Sequence, residues 1–150
     1  MVNTATTSTQ SPLASERITW WQAIAAGVIV SVVANLVVYF VGTVAGASFL
    51  LIDNGSPQQI GPVDVVISAA APLAIGTALA VLVARWWQPV LRVAQAVAAV
   101  LALLTIAGPA MAETDTATIV SLGLMHVLAG TAAVAVLEVI RRSRHSRTRP

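Results

Sequence analysis

The chain has 150 residues and a formal net charge of +2, and 57% of its residues are hydrophobic while only 9% are charged. A soluble globular chain carries roughly 25% charged residues, so this composition excludes an ordinary soluble domain and predicts an integral membrane protein. Because cysteine is absent, thiol nucleophiles, thiolate metal sites and disulfides are excluded as well.

The chain begins with a polar segment. Residues 1–17 are rich in threonine and serine and are predicted to form a disordered cytoplasmic tail. The uncharged run that follows is longer than the roughly 20 residues that a helix needs to cross the hydrocarbon core. We place the first helix at about 19–42 and an outer loop at 43–64. Three alternatives remain for the apolar residues 44–52, which extend the helix, lie in the interface or fold back over the bundle, and the pattern does not predict a path for residues 44–62.

Three more uncharged runs each contain about one span's worth of residues and end at charges. They predict helices at about 65–85, 92–111 and 117–139. Because the connections between these helices are short, neighbouring helices should run antiparallel. We therefore expect an all-α, up-down four-helix bundle at 18–140, followed by a basic cytoplasmic tail at 141–150.

Arginine predicts the orientation, because cytoplasmic segments retain positive charge during insertion. With four spans, all eight arginines lie on one side of the membrane. The acidic residues of the connections lie on the other side: Asp53, Asp64, Glu113 and Asp115. The tryptophans lie on the arginine side, where indole rings prefer the interface: Trp20, Trp21, Trp86 and Trp87. Both termini are therefore expected in the cytoplasm, and the protein in the plasma (inner) membrane.

Small residues recur at helical spacing along the predicted spans. In lipid, small side chains let helices approach each other closely. The residues expected to pack the helices are Gly27, Gly42, Gly46, Pro72, Gly76, Gly123 and Gly130. The remaining faces carry mainly valine and leucine, which is typical of surfaces that face lipid.

His126 is the one titratable side chain that the predicted spans place inside the hydrocarbon zone, where ionisable residues are commonly functional. Asn35 and Thr105 lie at similar distances from the outer ends of their helices. These three residues are a candidate ligand-binding pocket in the outer half of the bundle. The alternative is structural, with a neutral His126 hydrogen-bonded to Asn35 or to a hydroxyl so that it holds helices together.

No catalytic constellation accompanies His126. The spans offer one histidine and no carboxylate near mid-membrane, which is too few ligands for a metal site. We therefore predict no metal, no cofactor and no catalytic residue, and the sequence favours a non-enzymatic protein.

The charges that follow the last span have two expected roles. Glu138 precedes Arg141 and Arg142 by three and four residues, the spacing of a helical ion pair. Arg141, Arg142 and Arg144 are also expected to bind anionic lipid headgroups at the cytoplasmic face.

Several short elements occur in a specific order: Asn35 in the first helix, Ile60-Gly61-Pro62 in the loop, Gly108-Pro109 at the end of the third helix, and Leu124-Met125-His126 in the fourth. This order resembles a set of short actinobacterial four-span proteins classed as a domain of unknown function. The resemblance covers roughly residues 18–140. It implies a bacterial inner-membrane location and no established activity.

Two functional hypotheses follow. In the first, a non-enzymatic bundle binds lipid, a membrane-protein partner or a second copy of itself. In the second, the outer-half pocket around His126 serves a binder of lipophilic or small molecules, a transporter component or a membrane enzyme. Nucleic acid is not an expected partner, because the net charge is small.

Overall fold

The computed structural model describes residues 19–53 and 55–145. Its elements, in chain order, are α1 (Trp20–Val44), β1 (Leu50–Asp53), β2 (Ser56–Gln59), α2 (Pro62–Val83), α3 (Val90–Thr105), α4 (Ala107–Met111) and α5 (Thr116–His145). The predicted disordered tail at 1–17 and the last five residues of the predicted basic tail lie outside the described residues.

Four helical segments are long and apolar enough to cross a membrane: Trp20–Val44, Pro62–Val83, Val90–Met111 and Thr116–Arg144. Many large apolar side chains on these segments are exposed on the outside of the bundle. Exposed valine, isoleucine and leucine are costly in water but match the hydrocarbon of a bilayer. The predicted helical class is confirmed, and the four segments indicate a multi-pass membrane protein.

Side chains satisfy backbone N–H groups at the helix starts, where an unpaired donor near lipid is costly. The Gln22 side-chain oxygen accepts hydrogen bonds from the backbone N–H and the hydroxyl of Thr19, at 2.8 and 2.7 Å. Asp64 accepts a hydrogen bond from the backbone N–H of Gly61 at 2.8 Å. The first turns of α1 and α2 are thereby closed at the residues where the sequence changes from loop to span.

The third span is interrupted at Ile106, whereas the sequence pattern predicts one continuous helix at 92–111. Pro109 has no N–H to donate to the carbonyl of Thr105, and its ring crowds that carbonyl. The Ile106 N–H bonds to the carbonyl of Leu103 instead, at 3.3 Å. Consequently α3 ends at Thr105 and α4 begins at Ala107.

The last helix is longer than expected. The pattern predicts its end near residue 139, but α5 continues to His145. Arg141 and Arg142 pair with Glu138 one turn earlier, which supports helical backbone beyond the predicted end. The first arginines of the predicted basic tail therefore belong to α5.

The helices do not pack equally. The most extensive contacts join α1 to α2, α1 to α5 and α3 to α5, whereas α2 meets α3 and α5 much less. One buried cluster joins α1, α2 and α5: Ala23, Ile24, Val81, Val136 and Ile140. Another joins α2, α3 and α5 near the short connection after α2: Ala80, Ala84, Leu91 and Leu137. In the part of the chain that is described, α3 is the most peripheral of the four spans.

A small antiparallel hairpin occupies the loop for which the sequence predicts no path. β1 pairs with β2 from Leu50 opposite Gln59 to Asp53 opposite Ser56. Just before β1, Phe49 is 1% exposed and has a positive φ of 51°. Its ring lies 4.5 Å from that of Tyr39 in α1. The hairpin thus covers one end of the helices and inserts Phe49 between them.

Candidate functional site

The described arginines gather at one end of the helices. They lie near the end of α2, near the start of α3 and in the last turns of α5: Arg85, Arg92, Arg141, Arg142 and Arg144. Among the described residues, Glu138 is the carboxylate that lies at the same end as these arginines. The hairpin and the acidic connection before α5 lie together at the other end, where Ile52 donates a backbone hydrogen bond to Glu113. The two ends therefore differ in charge.

The predicted ion pair of Glu138 is confirmed. One Glu138 carboxylate oxygen lies 2.7 Å from Arg141 and 2.6 Å from Arg142. The other accepts a hydrogen bond from the Gln95 amide of α3 at 3.2 Å, and that amide also donates to the Val134 carbonyl. The network ties α3 to α5 and engages two arginines within the protein.

Arg144 has a different environment. Its guanidinium donates hydrogen bonds to the carbonyl oxygens of Ala84 and Val81, at 3.2 and 3.3 Å. These carbonyls lie at the end of α2, where no further helical N–H is available to them. No carboxylate among the described residues lies within ion-pair distance of Arg144. Arg144 therefore closes the end of α2 while its positive charge stays without an anionic partner there.

A cavity of about 240 Å³ lies beside Arg144. Its floor contains the buried residues Ala23 and Ile140. Thr19, Trp20, Gln88, Ser143 and Arg144 complete its lining. The cavity is thus bounded by the start of α1, the connection after α2 and the end of α5, and it combines an apolar floor with polar groups and one guanidinium.

The tryptophans lie at the arginine-rich end of the helices. All four are exposed: Trp20, Trp21, Trp86 and Trp87. Indole rings favour the boundary between hydrocarbon and headgroups, where the ring is apolar and its N–H can still find a partner. Trp20 also lines the cavity, so the cavity lies at the end of the helices that carries the tryptophans.

The three side chains of the predicted outer-half pocket each bond within their own helix. The Asn35 amide donates to the carbonyl of Ser31 at 2.8 Å, and the Thr105 hydroxyl donates to that of Leu101 at 2.7 Å. Nδ1 of His126 lies 2.7 Å from the carbonyl oxygen of Leu122. No hydrogen bond among the described residues joins His126 to Asn35 or to a hydroxyl; the bond that the structure gives His126 lies within α5.

Asn35 lies in a different helix contact from Thr105 and His126. Two pairs join α3 to α5 in this region: Ala102 with Gly130 and Ile106 with Gly123. Thr105 and His126 lie between these pairs in their helices and therefore share one level of the α3–α5 contact. Asn35 is 3% exposed in α1, which contacts the face of α5 that carries Ser121. At about 100° per residue, Ser121 and His126 are about 140° apart around α5, so the structure separates Asn35 from the other two.

The predicted packing residues differ in their surroundings. A Cβ atom on three of the glycines would overlap a neighbouring helix: Gly27 at Val136, Gly42 at Ser121 and Gly130 at Ala102. Gly123 makes an ordinary contact, and a Cβ atom on Gly46 or Gly76 would meet nothing within 4 Å. Pro72 is exposed on α2. Close approach of the helices is thus concentrated at Gly27, Gly42 and Gly130.

Asp115 organises the hairpin end, a role that the sequence pattern does not assign to it. One carboxylate oxygen accepts from the backbone N–H and hydroxyl of Ser48, at 3.0 and 2.6 Å, and from the Thr118 hydroxyl at 2.7 Å. The other accepts from the backbone N–H of Thr118 at 2.7 Å. The Ser48 hydroxyl, followed by the other donors, holds the pKa of the Asp115 carboxyl well below its usual range. The spacing of Asp115 and Thr118 is that of a helix N-cap, a signal that was present in the sequence.

Comparison with known proteins identifies one family. A family model described as a family of unknown function (DUF6069) matches residues 15–145. No curated protein and no solved structure matches the chain.

Proposed function

This chain belongs to DUF6069, a family of unknown function, and we propose that it is a non-enzymatic protein of the bacterial plasma (inner) membrane that binds anionic lipid headgroups. In this proposal it is an up-down four-helix bundle with both termini in the cytoplasm. The arginine-rich end faces the cytoplasmic leaflet, and the hairpin faces outward.

The separation of charge between the two ends supports this proposal. Five described arginines and one glutamate accompany the tryptophans at one end, whereas Asp64, Glu113 and Asp115 lie in or beside the connections of the other. Cytoplasmic segments retain arginine during insertion, and each basic residue near an anionic surface contributes about 1 kcal/mol to attraction. Arg85, Arg92 and Arg144 have no carboxylate within ion-pair distance among the described residues, so their charges are available to lipid phosphates.

The hydrogen bonds of three residues and the lining of the cavities favour lipid binding over a pocket around His126. Asn35, Thr105 and His126 each make a hydrogen bond to a carbonyl of their own helix, and neither described cavity is lined by any of them. A second cavity, of about 270 Å³, lies between α3 and α5 and is lined almost wholly by apolar groups. Lipid acyl chains can fill such an apolar groove without specific recognition of a ligand.

Thermal unfolding in nanodiscs tests the proposal. We expect a higher unfolding midpoint in phosphatidylcholine that contains phosphatidylglycerol than in phosphatidylcholine alone. The difference should shrink as salt is added, because salt screens exposed charges. Replacing Arg85 and Arg92 together with glutamine should reduce the difference, whereas Asp64→Asn at the other end should preserve it. Equal midpoints in the two lipid mixtures would contradict the proposal.

A further inference from the structure

The cavity beside Arg144 carries a more specific inference, which rests on the proposed function. We propose that this cavity holds the phosphate group of one anionic glycerolipid, with the Arg144 guanidinium as its principal counter-charge. The lipid's acyl chains then lie in the surrounding bilayer, outside the cavity.

The first argument is electrostatic. Arg141 and Arg142 already share the carboxylate of Glu138. Arg144 contacts two neutral carbonyl oxygens instead. A guanidinium has five N–H donors in a planar fork, so two bonds to α2 leave donor capacity for a further acceptor. Phosphate oxygens match that fork in geometry and supply the opposite charge.

The second argument is the position of Arg144 in the fold. Its bonds to Ala84 and Val81 fix the guanidinium against the end of α2, so little side-chain freedom remains to be lost when a ligand binds. By contrast, Arg142 has a side chain that is 78% exposed. Arg144 is therefore held against a neighbouring helix without an anionic partner among the described residues, whereas Arg142 is an exposed charge that is already paired with Glu138.

The third argument is the lining. Thr19, Gln88 and Ser143 line the same cavity. The Thr19 hydroxyl already donates to the Gln22 side chain and the Ser143 hydroxyl to the Val139 carbonyl, so the Gln88 amide is the donor of these three that can turn to a ligand. The Gln88 amide has no hydrogen-bond partner among the described residues, and its NH₂ group can donate to a phosphate oxygen. Ala23 and Ile140 supply apolar floor, and Trp20 places the cavity at headgroup depth. Headgroup and glycerol thus meet matching surfaces at one site.

Native mass spectrometry from mixed micelles tests this assignment by titrating phosphatidylglycerol and measuring the affinity of the first bound lipid. We expect Arg144→Gln to weaken that affinity about tenfold, since it removes one charge-assisted hydrogen-bonding group. Arg142→Gln is the matched control and should change the affinity by less than about twofold.

A second pair of variants separates lipid binding from the closure of α2. Ala23→Leu keeps Arg144 and fills the cavity, so it should weaken the first lipid about tenfold. Ala26→Leu adds the same side chain at an exposed position of α1 and should have little effect. Gln88→Leu, in the exposed connection, keeps the test decisive if Ala23→Leu does not fold, and it too should weaken the first lipid.

The outcomes distinguish the two proposals. Equal losses in Arg144→Gln and Arg142→Gln, with no loss in the variants that alter the cavity, would overturn the cavity assignment and leave the proposed function standing. A wild-type protein that binds phosphatidylcholine as tightly as phosphatidylglycerol would overturn the proposed function itself. Displacement of the bound lipid by inorganic phosphate alone would assign the cavity to a free anion rather than to a lipid.

Discussion

Asp115 and Ser48 lie 67 positions apart in the chain and are joined by two hydrogen bonds to one carboxylate oxygen. The same oxygen accepts the hydroxyl of Thr118, and that hydroxyl in turn accepts the backbone N–H of Phe49 at 2.9 Å. Through this chain of bonds, the start of α5 holds the hairpin on the end of the bundle.

Stability should depend on the ionisation of Asp115. Because its pKa is lower in the folded than in the unfolded protein, ionised Asp115 stabilises the fold above the ordinary carboxyl range near about pH 4. That stabilisation is lost as pH falls toward the folded pKa. We expect the thermal midpoint of the wild type to fall with acidification more steeply than that of Asp115→Asn. Glu113→Gln is the control, and an equal change of slope in both variants would contradict the role of Asp115.

Phe49 should be a major contributor to stability. Its ring is buried against Tyr39, and truncation of a buried phenylalanine costs about 3–5 kcal/mol. We expect Phe49→Ala to lower the free energy of unfolding in micelles by about 3 kcal/mol. Phe40→Ala is a matched control, because Phe40 is 55% exposed and faces the surroundings of the bundle. Equal losses in the two variants would show that the hairpin does not pack as described.

The glycine contacts predict opposite effects at two positions. In Gly130→Ala the new methyl group would overlap Ala102 of α3, and overpacking costs about 1–3 kcal/mol. In Gly76→Ala the methyl group enters open space, and alanine favours helix over glycine by about 0.5–1 kcal/mol. Thermal melts of the two variants should therefore shift in opposite directions. A loss of stability in Gly76→Ala comparable to that in Gly130→Ala would indicate a contact outside this chain.

His126→Ala tests the alternative pocket. Nδ1 of His126 bonds to the carbonyl oxygen of Leu122 in the same helix. A carbonyl inside a helix also accepts the backbone N–H four residues later, so it keeps a hydrogen-bond partner when the imidazole is removed. We expect a small loss of thermal stability and unchanged co-purifying molecules by mass spectrometry. Loss of a bound species from the variant, with the fold intact by circular dichroism, would favour the pocket hypothesis instead.

The spans were predictable from sequence because their bounds follow from a simple physical limit. Charged residues are costly in hydrocarbon, so Asp64, Arg85, Arg92 and Glu113 delimit the runs that cross it. The exact residues at which the helices begin and end depend on side-chain contacts, and hydrophobic periodicity does not predict those contacts. For example, Arg141 and Arg142 pair with Glu138 beyond the predicted end of the last span, where α5 continues to His145.

The sequence contains one signal that is typical of the hairpin. Asn54-Gly55 is the dipeptide most typical of a two-residue β-turn, and Gly55 has the positive φ of 78° that such turns require. The apolar run before it, residues 49–52, is also compatible with a helix extension, because short apolar runs do not distinguish the two. The contact of Phe49 with Tyr39, and not periodicity, decides between them.

The candidate sites were less predictable than the fold. Asn35, Thr105 and His126 have similar positions along their helices, but the face that each presents depends on which helices pack together. Arg144 was expected among three headgroup-binding arginines, and its bonds to the end of α2 distinguish it from Arg142. Such differences arise from tertiary contacts between residues about 60 positions apart.

Single-cysteine labelling tests the central claim, the orientation of the arginine-rich end, most directly. Because the chain contains no cysteine, Ser56→Cys in the hairpin and Ser146→Cys beyond α5 each provide one reactive thiol without background. With a membrane-impermeant maleimide on intact cells, we predict that Ser56→Cys is labelled and that Ser146→Cys is labelled only after lysis. Labelling of Ser146→Cys in intact cells, with Ser56→Cys protected, would contradict the proposed orientation and the lipid site that depends on it.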